Sequence, residues 1–511
     1  MTDSMNKDLT PEDKRQAWWI LGVNTFAFTV CFAAWMMNGV LITFLVENGV
    51  HDWGPKEMGW LIGIPVLTGA IFRLPLGVAT DKWGGKIVYG WLLIFCALPM
   101  FMVGYCNTYW QFFAAGLGFG FCGTSFAVGI AYTSVWFPRH QQGTALGIFG
   151  AGNAGAALTT FGAPTLLNWL TDNGENIEGW RHLPKFYAAA LVVTGIVFLL
   201  TTINRLPPGS ATKTLSERLQ PLKSIRVWRF GLYYFFVFGG FVALAQWLVP
   251  YYVNAYATTV VLAGLLASCN SLPSGVIRAF GGWLSDKFGA RTVMYWVLGS
   301  SLICCLLLIV PQMDIHAPGS GVMSKAAGEV VTVTEDEIVV ESKSGKRISY
   351  ELKRKEGELV SRDERSKGML ILPRSMSWQE AAVEEGQQVA KKELLARGVT
   401  QIFFQANIWV FTVLSLIIGA VMGIGKAAVY KHIPDYFPND VGVVGGIVGV
   451  LGGLGGFVCP VIFGYLLNAT GLWTSCWMFF AALVTACLVW MHLVIQRMMK
   501  KEAPEIRRRI E

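Results

Sequence analysis

Apolar runs of about 20 residues recur twelve times along this chain, long enough for a helix to cross a bilayer. They cover roughly 17–46, 57–80, 88–106, 109–137, 142–170, 185–204, 227–253, 258–285, 292–311, 401–432, 441–468 and 472–497. Several exceed 25 residues, which implies tilt or extension beyond the lipid. The chain is 53% hydrophobic and only 14% charged, against the quarter usual in soluble domains, so it reads as an integral membrane protein. Its net charge of +8 lies mostly in loops and tails, which argues against a nucleic-acid surface. The ten cysteines fall in or beside apolar runs, which disfavours a disulfide framework or paired metal sites. Six histidines lie scattered without a cluster suited to a metal, and no nucleophile or cofactor loop stands out; no cofactor and no enzymatic role are expected.

Short loops set orientation by their Lys and Arg content. One alternating set holds Lys82, Lys86, Arg139, the cations of 205–229, Lys287, Arg291 and Lys431; the other set is nearly bare, apart from Arg181 and Lys185. Both termini are therefore expected in the cytoplasm. Residues 1–16 lack the short apolar region of a cleaved signal peptide.

The chain is an internal duplication. IFRLPLGVATDKWGGKIVYG (71–90) resembles VIRAFGGWLSDKFGARTVMY (276–295) at an offset of 205, and Trp136-Phe137-Pro138 resembles Tyr436-Phe437-Pro438 at an offset of 300. The difference marks an insertion in the second half. The expected layout is a tail (1–16), a six-helix bundle (17–204), a linker (205–226), helices 7–9 (227–311), an extracytoplasmic insert (312–400), helices 10–12 (401–497) and a second tail (498–511). In the insert, 328–360 alternates apolar and polar residues around Ser344-Gly345, which predicts a β-hairpin or meander; 375–398 predicts a helix. A small soluble appendage is the plain reading of this α+β insert, a docking element or lid the other.

Two arginines, Arg73 and Arg278, sit at equivalent places in apolar spans whose interiors hold no carboxylate. A buried guanidinium costs from about 3 to over 10 kcal/mol in a bilayer. Retaining two of them suggests a bound anion, although each could instead snorkel or pair with helix carbonyls. The planar donor fork suits a small flat oxyanion. Lys426 is a third interior cation, placed by the repeat opposite Phe126 (each twelve residues before its Pro). Desolvation and like-charge repulsion would favour its neutral form until an anion arrives, which would couple anion entry to proton entry. A snorkelling lysine is the alternative.

Six helices repeated twice, with D-K-x-G-x-K/R after the second helix of each half, resemble the major facilitator superfamily. GTALGIFGAGNAGAALTTFGAP (143–164) and GVVGGIVGVLGGLGGFVCP (442–460) resemble the paired signatures of its nitrate/nitrite porter family, as does SFAVGIAYTSVWFPRHQQGTALG (125–147). The resemblance spans all but the insert. It implies an all-α fold of twelve transmembrane helices in two pseudo-symmetric bundles, acting as a monomer in lipid. It implies a nitrate or nitrite site of Arg73, Arg278, Asn153, Phe126, Tyr234 and Phe238, joined here by Lys426. Neighbouring Tyr233 could shift the Tyr234 register, and Asn153 could instead bond between helices.

Gly150, Gly152 and Gly155 in helix 5, with Gly449, Gly452, Gly453, Gly455 and Gly456 in helix 11, leave smooth faces for close packing or sliding. Asp81, Lys82, Lys86, Asp286, Lys287 and Arg291, with Arg139 as a candidate partner, would form a gate latch. Proton symport and nitrate/nitrite exchange both stay open, with Lys426 favouring symport. A carrier of another small anion such as formate or oxalate, or a membrane sensor, are the competing classes.

Overall fold

The computed structural model describes residues 11–206, 220–309, 313–342, 344–360, 374–405, 407–437 and 441–502. Parts of the linker and tails, and Pro438, lie outside them, as do the side chains of Arg139 and Asp435. Two compact units emerge, one of residues 1–254, 258–309 and 412–511, the other of 255–257 and 310–411.

The first unit is helical. Among the described residues nine helices are long and apolar enough to cross a membrane, and two bent pairs raise this to eleven. The remaining expected span, 142–170, is present as Arg139–Gly150, a 3-10 turn Ala151–Ala154, and Gly155–Leu170.

Departures from regular α-helix cluster in a few places. Helix 2 breaks at Phe72 between Pro55–Ile71 and Arg73–Trp83 with a 40° bend, and helix 8 breaks at Ile277 between Val260–Val276 and Arg278–Phe288 with a 49° bend. The hydropathy pattern predicts unbroken spans there. Instead each arginine opens a new helix of 11 residues, at its positive end. Helix 4 carries a 3-10 turn at Gly120–Thr124, and helix 7 (Ile225–Tyr256) carries a π-turn at Phe235–Gly240. Irregular backbone at membrane depth is tolerated where protein buries it or a cavity needs it.

Both lower helices end on the motif glycine. Gly84 has φ 87, ψ 151 and Gly289 has φ 83, ψ 135, a region essentially reserved for glycine. That conformation turns the chain directly into helices Gly85–Val103 and Ala290–Leu308. Gly84→Ala is expected to cost about 1–3 kcal/mol from backbone strain. An added Cβ would also fall 2.1 Å from Asn204 Oδ1, whose Nδ2 now donates to the Trp83 carbonyl. A thermal melt of purified protein measures this loss; an unchanged midpoint would refute the strain argument.

The second unit is built of strands. β1 (Met313–Met323), β5 (Arg374–Ala381) and β7 (Leu394–Phe404) form one antiparallel sheet in the order β1-β7-β5. β2 (Gly328–Val333), β3 (Glu337–Ser342), β4 (Arg347–Glu351) and the short β6 (Gln388–Val389) form the other, in the order β4-β3-β2-β6. The alternation over 328–351 produces a meander as expected. The helix expected over 375–398 does not form, and this corrects the α+β reading of the insert. That segment is rich in good helix formers, but Val383, Val389 and Leu395, spaced by six, all reach the buried core beside Val330, Ile338 and Val340. Gly386 (φ 80) and Lys392 (φ 72) adopt turn conformations that no helix accommodates. Cross-strand pairing outweighs local propensity here. Residues 401–404, expected to begin helix 10, complete β7, and that helix runs Ile408–Tyr436.

Candidate anion site

Arg73 is 2% exposed. Its Nε donates to the Gly123 carbonyl in the helix-4 3-10 turn (3.2 Å), and its Nη1 donates to the Gly449 carbonyl of helix 11 (2.7 Å). Its guanidinium lies 5.4 Å from the Phe126 ring centre and 5.0 Å from that of Phe238. Arg278 meets the same Phe126 ring at 5.5 Å and the Tyr430 ring at 5.4 Å. The two arginines, 205 positions apart in sequence, therefore flank one aromatic side chain. Among the described residues neither is paired with a carboxylate.

Burial without compensation marks the spot. Arg73 Nη2, Arg278 Nη1, the Tyr234 hydroxyl and both amide atoms of Asn153 are buried without a hydrogen-bond partner. An unmade bond to a buried polar group costs about 1–3 kcal/mol, more for a charge. All of these except Asn153 Oδ1 can donate to an oxygen. The set has the donor chemistry of a small oxyanion site.

Tyr234, rather than Tyr233, faces this group. Its ring stacks on Phe238 at 5.1 Å with 2° between planes and meets Tyr430 edge-on at 5.0 Å. The π-turn that starts at Phe235 retains Phe238 beside Phe126 (6.1 Å). Lys426, fully buried, approaches the same Phe238 ring at 5.9 Å and sits 3.3 Å from the Phe241 ring centre. Its Nζ donates to the Ser274 carbonyl (3.0 Å), four residues before Arg278 and beside the helix-8 break. The repeat equivalents Phe126 and Lys426 thus converge on one ring.

The glycines serve the arginines across the repeat. A Cβ on Gly150 of helix 5 would lie 3.3 Å from Arg278 Cδ, and one on Gly453 of helix 11 would lie 3.3 Å from Arg73 Nη1. Gly152 and Gly155 leave room for Phe28 and the Thr29 carbonyl of helix 1, while Gly452, Gly455 and Gly456 admit Tyr234, Gly239 and Val242 of helix 7. Gly449 lies under Tyr430 and supplies the carbonyl that Arg73 uses.

The loop motif residues lie apart from this group. Asp286 pairs with Lys431 at 2.5 Å, a partner the sequence reading did not assign it, and Arg291 donates to the Tyr436 hydroxyl (3.1 Å). Lys82 lies over Trp83, and Lys287 over Trp283 and Phe288. Asp81 stands in the last turn of Arg73–Trp83, Lys86 in the first of Gly85–Val103, and Arg139 opens helix 5.

Sequence reasoning missed Tyr430, Ser274 and Trp35, whose ring lies 5.8 Å from the Arg73 guanidinium. Tyr430 was within reach, since it stands four residues after Lys426 on the same helix face. The Ser274 carbonyl and Trp35 carried no such signal.

Comparison with known proteins agrees with this architecture. A model of the Major Facilitator Superfamily matches residues 25–327 and 394–510. A probable nitrate/nitrite antiporter, NarK1, of Thermus thermophilus is 35% identical over 96% of this chain and 95% of its own length. A probable nitrate transporter, NarT, of Staphylococcus epidermidis is 24% identical over 93% of this chain and 95% of its own. Among solved structures the nucleoside transporter NupG aligns with a TM-score of 0.58 at 11% identity, covering 93% of this chain and 99% of NupG. A bacterial homologue of the lysosomal transporter Spinster aligns at 0.59 and 13% identity, covering 96% and 98%. These two support the fold alone. The chain is a multi-pass membrane transporter that belongs to the major facilitator superfamily and, within it, to the nitrate/nitrite porter family.

Proposed function

We propose that this protein carries nitrate, and nitrite as a second substrate, across a bacterial inner membrane by alternating access, with both termini cytoplasmic. The observation that carries the reading is the carboxylate-free pair of arginines on Phe126, with buried donors of Arg73, Arg278, Asn153 and Tyr234 left open. A flat monovalent oxyanion could accept from these donors while its face rests on the aromatic wall. The relatives named as nitrate/nitrite and nitrate transporters point to the same substrates. Rocking of the two halves would slide the glycine faces of helices 5 and 11, and the Asp286–Lys431 pair is a candidate latch for one facing state.

Lys426 favours proton symport over exchange. A nitrate moving alone into a negative interior works against about 2.3 kcal/mol per 100 mV. One proton per anion cancels that charge. Lys426 is fully buried, lacks a carboxylate partner among the described residues, and is held by the Ser274 carbonyl next to the helix that starts at Arg278. Gain of its proton would accompany anion arrival at Arg278.

Uptake into proteoliposomes separates the modes. With an imposed inward proton gradient and no internal substrate, the wild type should accumulate labelled nitrate. Lys426→Gln should lose most of that gradient-driven uptake while retaining exchange against internal nitrite. Full proton dependence in Lys426→Gln would refute the coupling role. Uptake only with internal nitrite would establish exchange instead, and nitrate-independent flux of oxalate or formate would overturn the substrate assignment.

A further inference from the structure

A second group of cations gathers around Tyr436, at the ends of helices 7, 9 and 10. Arg226 and Arg229 stand in the first two turns of helix 7, and Arg291 is the second residue of helix 9. Arg291 Nη2 donates to the Tyr436 hydroxyl (3.1 Å), and the Arg226 guanidinium lies 5.2 Å from the centre of the Tyr436 ring. Arg229 is near enough to both other arginines, and to Tyr233 and Tyr436, to interact electrostatically with each. It is only 7% exposed, and its guanidinium lies 5.2 Å from the Phe230 ring, which also packs on Tyr436. The Tyr233 hydroxyl is buried without a hydrogen-bond partner.

This arrangement is unfavourable by itself. Three guanidinium groups repel one another, and the N-termini of helices 7 and 9 add positive potential that only the C-terminal end of helix 10 at Tyr436 offsets. Among the described residues no carboxylate is paired with any of the three. Such a cluster, with a buried open hydroxyl beside a nearly buried guanidinium, gains most from an oxyanion. Three arginines match a phosphate group, free or esterified, whose oxygens guanidinium forks hold bidentately.

We propose that Arg226, Arg229 and Arg291, with the hydroxyls of Tyr233 and Tyr436, form a phosphate-class oxyanion site separate from the Arg73–Arg278 site. The phosphate could belong to free inorganic phosphate or to an anionic phospholipid headgroup. Trp228 (47% exposed) and Ile225 (67% exposed) beside it on helix 7 offer apolar surface that suits the lipid source.

Two measurements on the full-length purified protein test this. In neutral detergent, inorganic phosphate should raise the thermal midpoint of the wild type more than equal concentrations of chloride or nitrate. Arg229→Gln should raise the half-saturating phosphate concentration about tenfold or more, as expected for losing a charged hydrogen-bond donor. Native mass spectrometry after delipidation should show retained phosphatidylglycerol on the wild type, and less on Arg229→Gln, if a lipid is the natural source. Phosphate protection without lipid retention assigns the site to a free anion. Tyr233→Phe removes one hydroxyl and leaves the packing, so it should weaken whichever ligand binds even if Arg229→Gln proves unstable. Equal behaviour of phosphate, phosphatidylglycerol and chloride in wild type and both variants would overturn the site. Arg229-dependent binding of nitrate but not phosphate would overturn its ligand class.

Discussion

Arg278→Gln is expected to lower nitrate uptake into proteoliposomes by about 30-fold to several thousand-fold, and Arg73→Gln by a similar factor. The range corresponds to about 2–5 kcal/mol for deleting one partner of a buried charged hydrogen bond. Arg278 Nη1 and Arg73 Nη2 have no hydrogen-bond partner within the protein, so much of their interaction is available to an anion. Stability should respond differently from activity. Arg278→Gln removes a half-buried charge whose Nη1 has no hydrogen-bond partner and should leave the thermal midpoint unchanged or raised. Arg73→Gln also loses the bonds to the Gly123 and Gly449 carbonyls, so its midpoint should fall. The lysine variants retain charge but lose the planar fork, and should recover only part of the activity. Uptake within a factor of three of wild type in both glutamine variants, with normal membrane levels, would remove the arginines from the site.

Gly452→Ala should reduce transport by about 10- to 100-fold, although it adds a single methyl group. The new Cβ would lie 2.1 Å from Tyr234 Cδ1. Tyr234 has no simple retreat, because its ring is stacked flat on Phe238 and closed edge-on by Tyr430. The helices must separate or the ring must turn, and overpacking of this kind costs about 1–3 kcal/mol. Turning the ring would carry the hydroxyl away from the arginines. Gly446→Ala is the matched control: nothing lies within 4 Å of its added Cβ, so it should be neutral or slightly stabilising. Parallel uptake and melting curves decide the matter. Equal loss in both variants would mean that the glycines serve general flexibility, whereas loss in Gly452→Ala alone ties its smoothness to Tyr234.

Much of the candidate site was legible because lipid makes polar residues expensive. Arg73, Arg278 and Lys426 stand out against apolar neighbours, and the duplication pairs the two arginines without any knowledge of contacts. The insert shows the opposite situation. Its 375–398 segment contains alanine, glutamate, glutamine and lysine in helix-forming density, yet its fate depended on pairing of β5 and β7 at 381 and 396. Local propensity amounts to tenths of a kcal/mol per residue, while a completed sheet and core outweigh it. Asp286 illustrates a third situation: the motif singles it out, but its pairing with Lys431 depends on how helices 8 and 10 approach.

By itself the sequence determined the helical columns, the repeat, the equivalence of the arginines and the absence of nearby carboxylates, since hydropathy and charge are properties of residues. Only the tertiary structure decided that helices 2 and 8 break one residue before those arginines. It also decided that helix 7 adopts a π-turn around Phe238, that each half's glycines make room for the other half's arginine, and that Ser274 holds Lys426. These features answer to where backbones approach across hundreds of residues, and no local pattern of side chains encodes such distances.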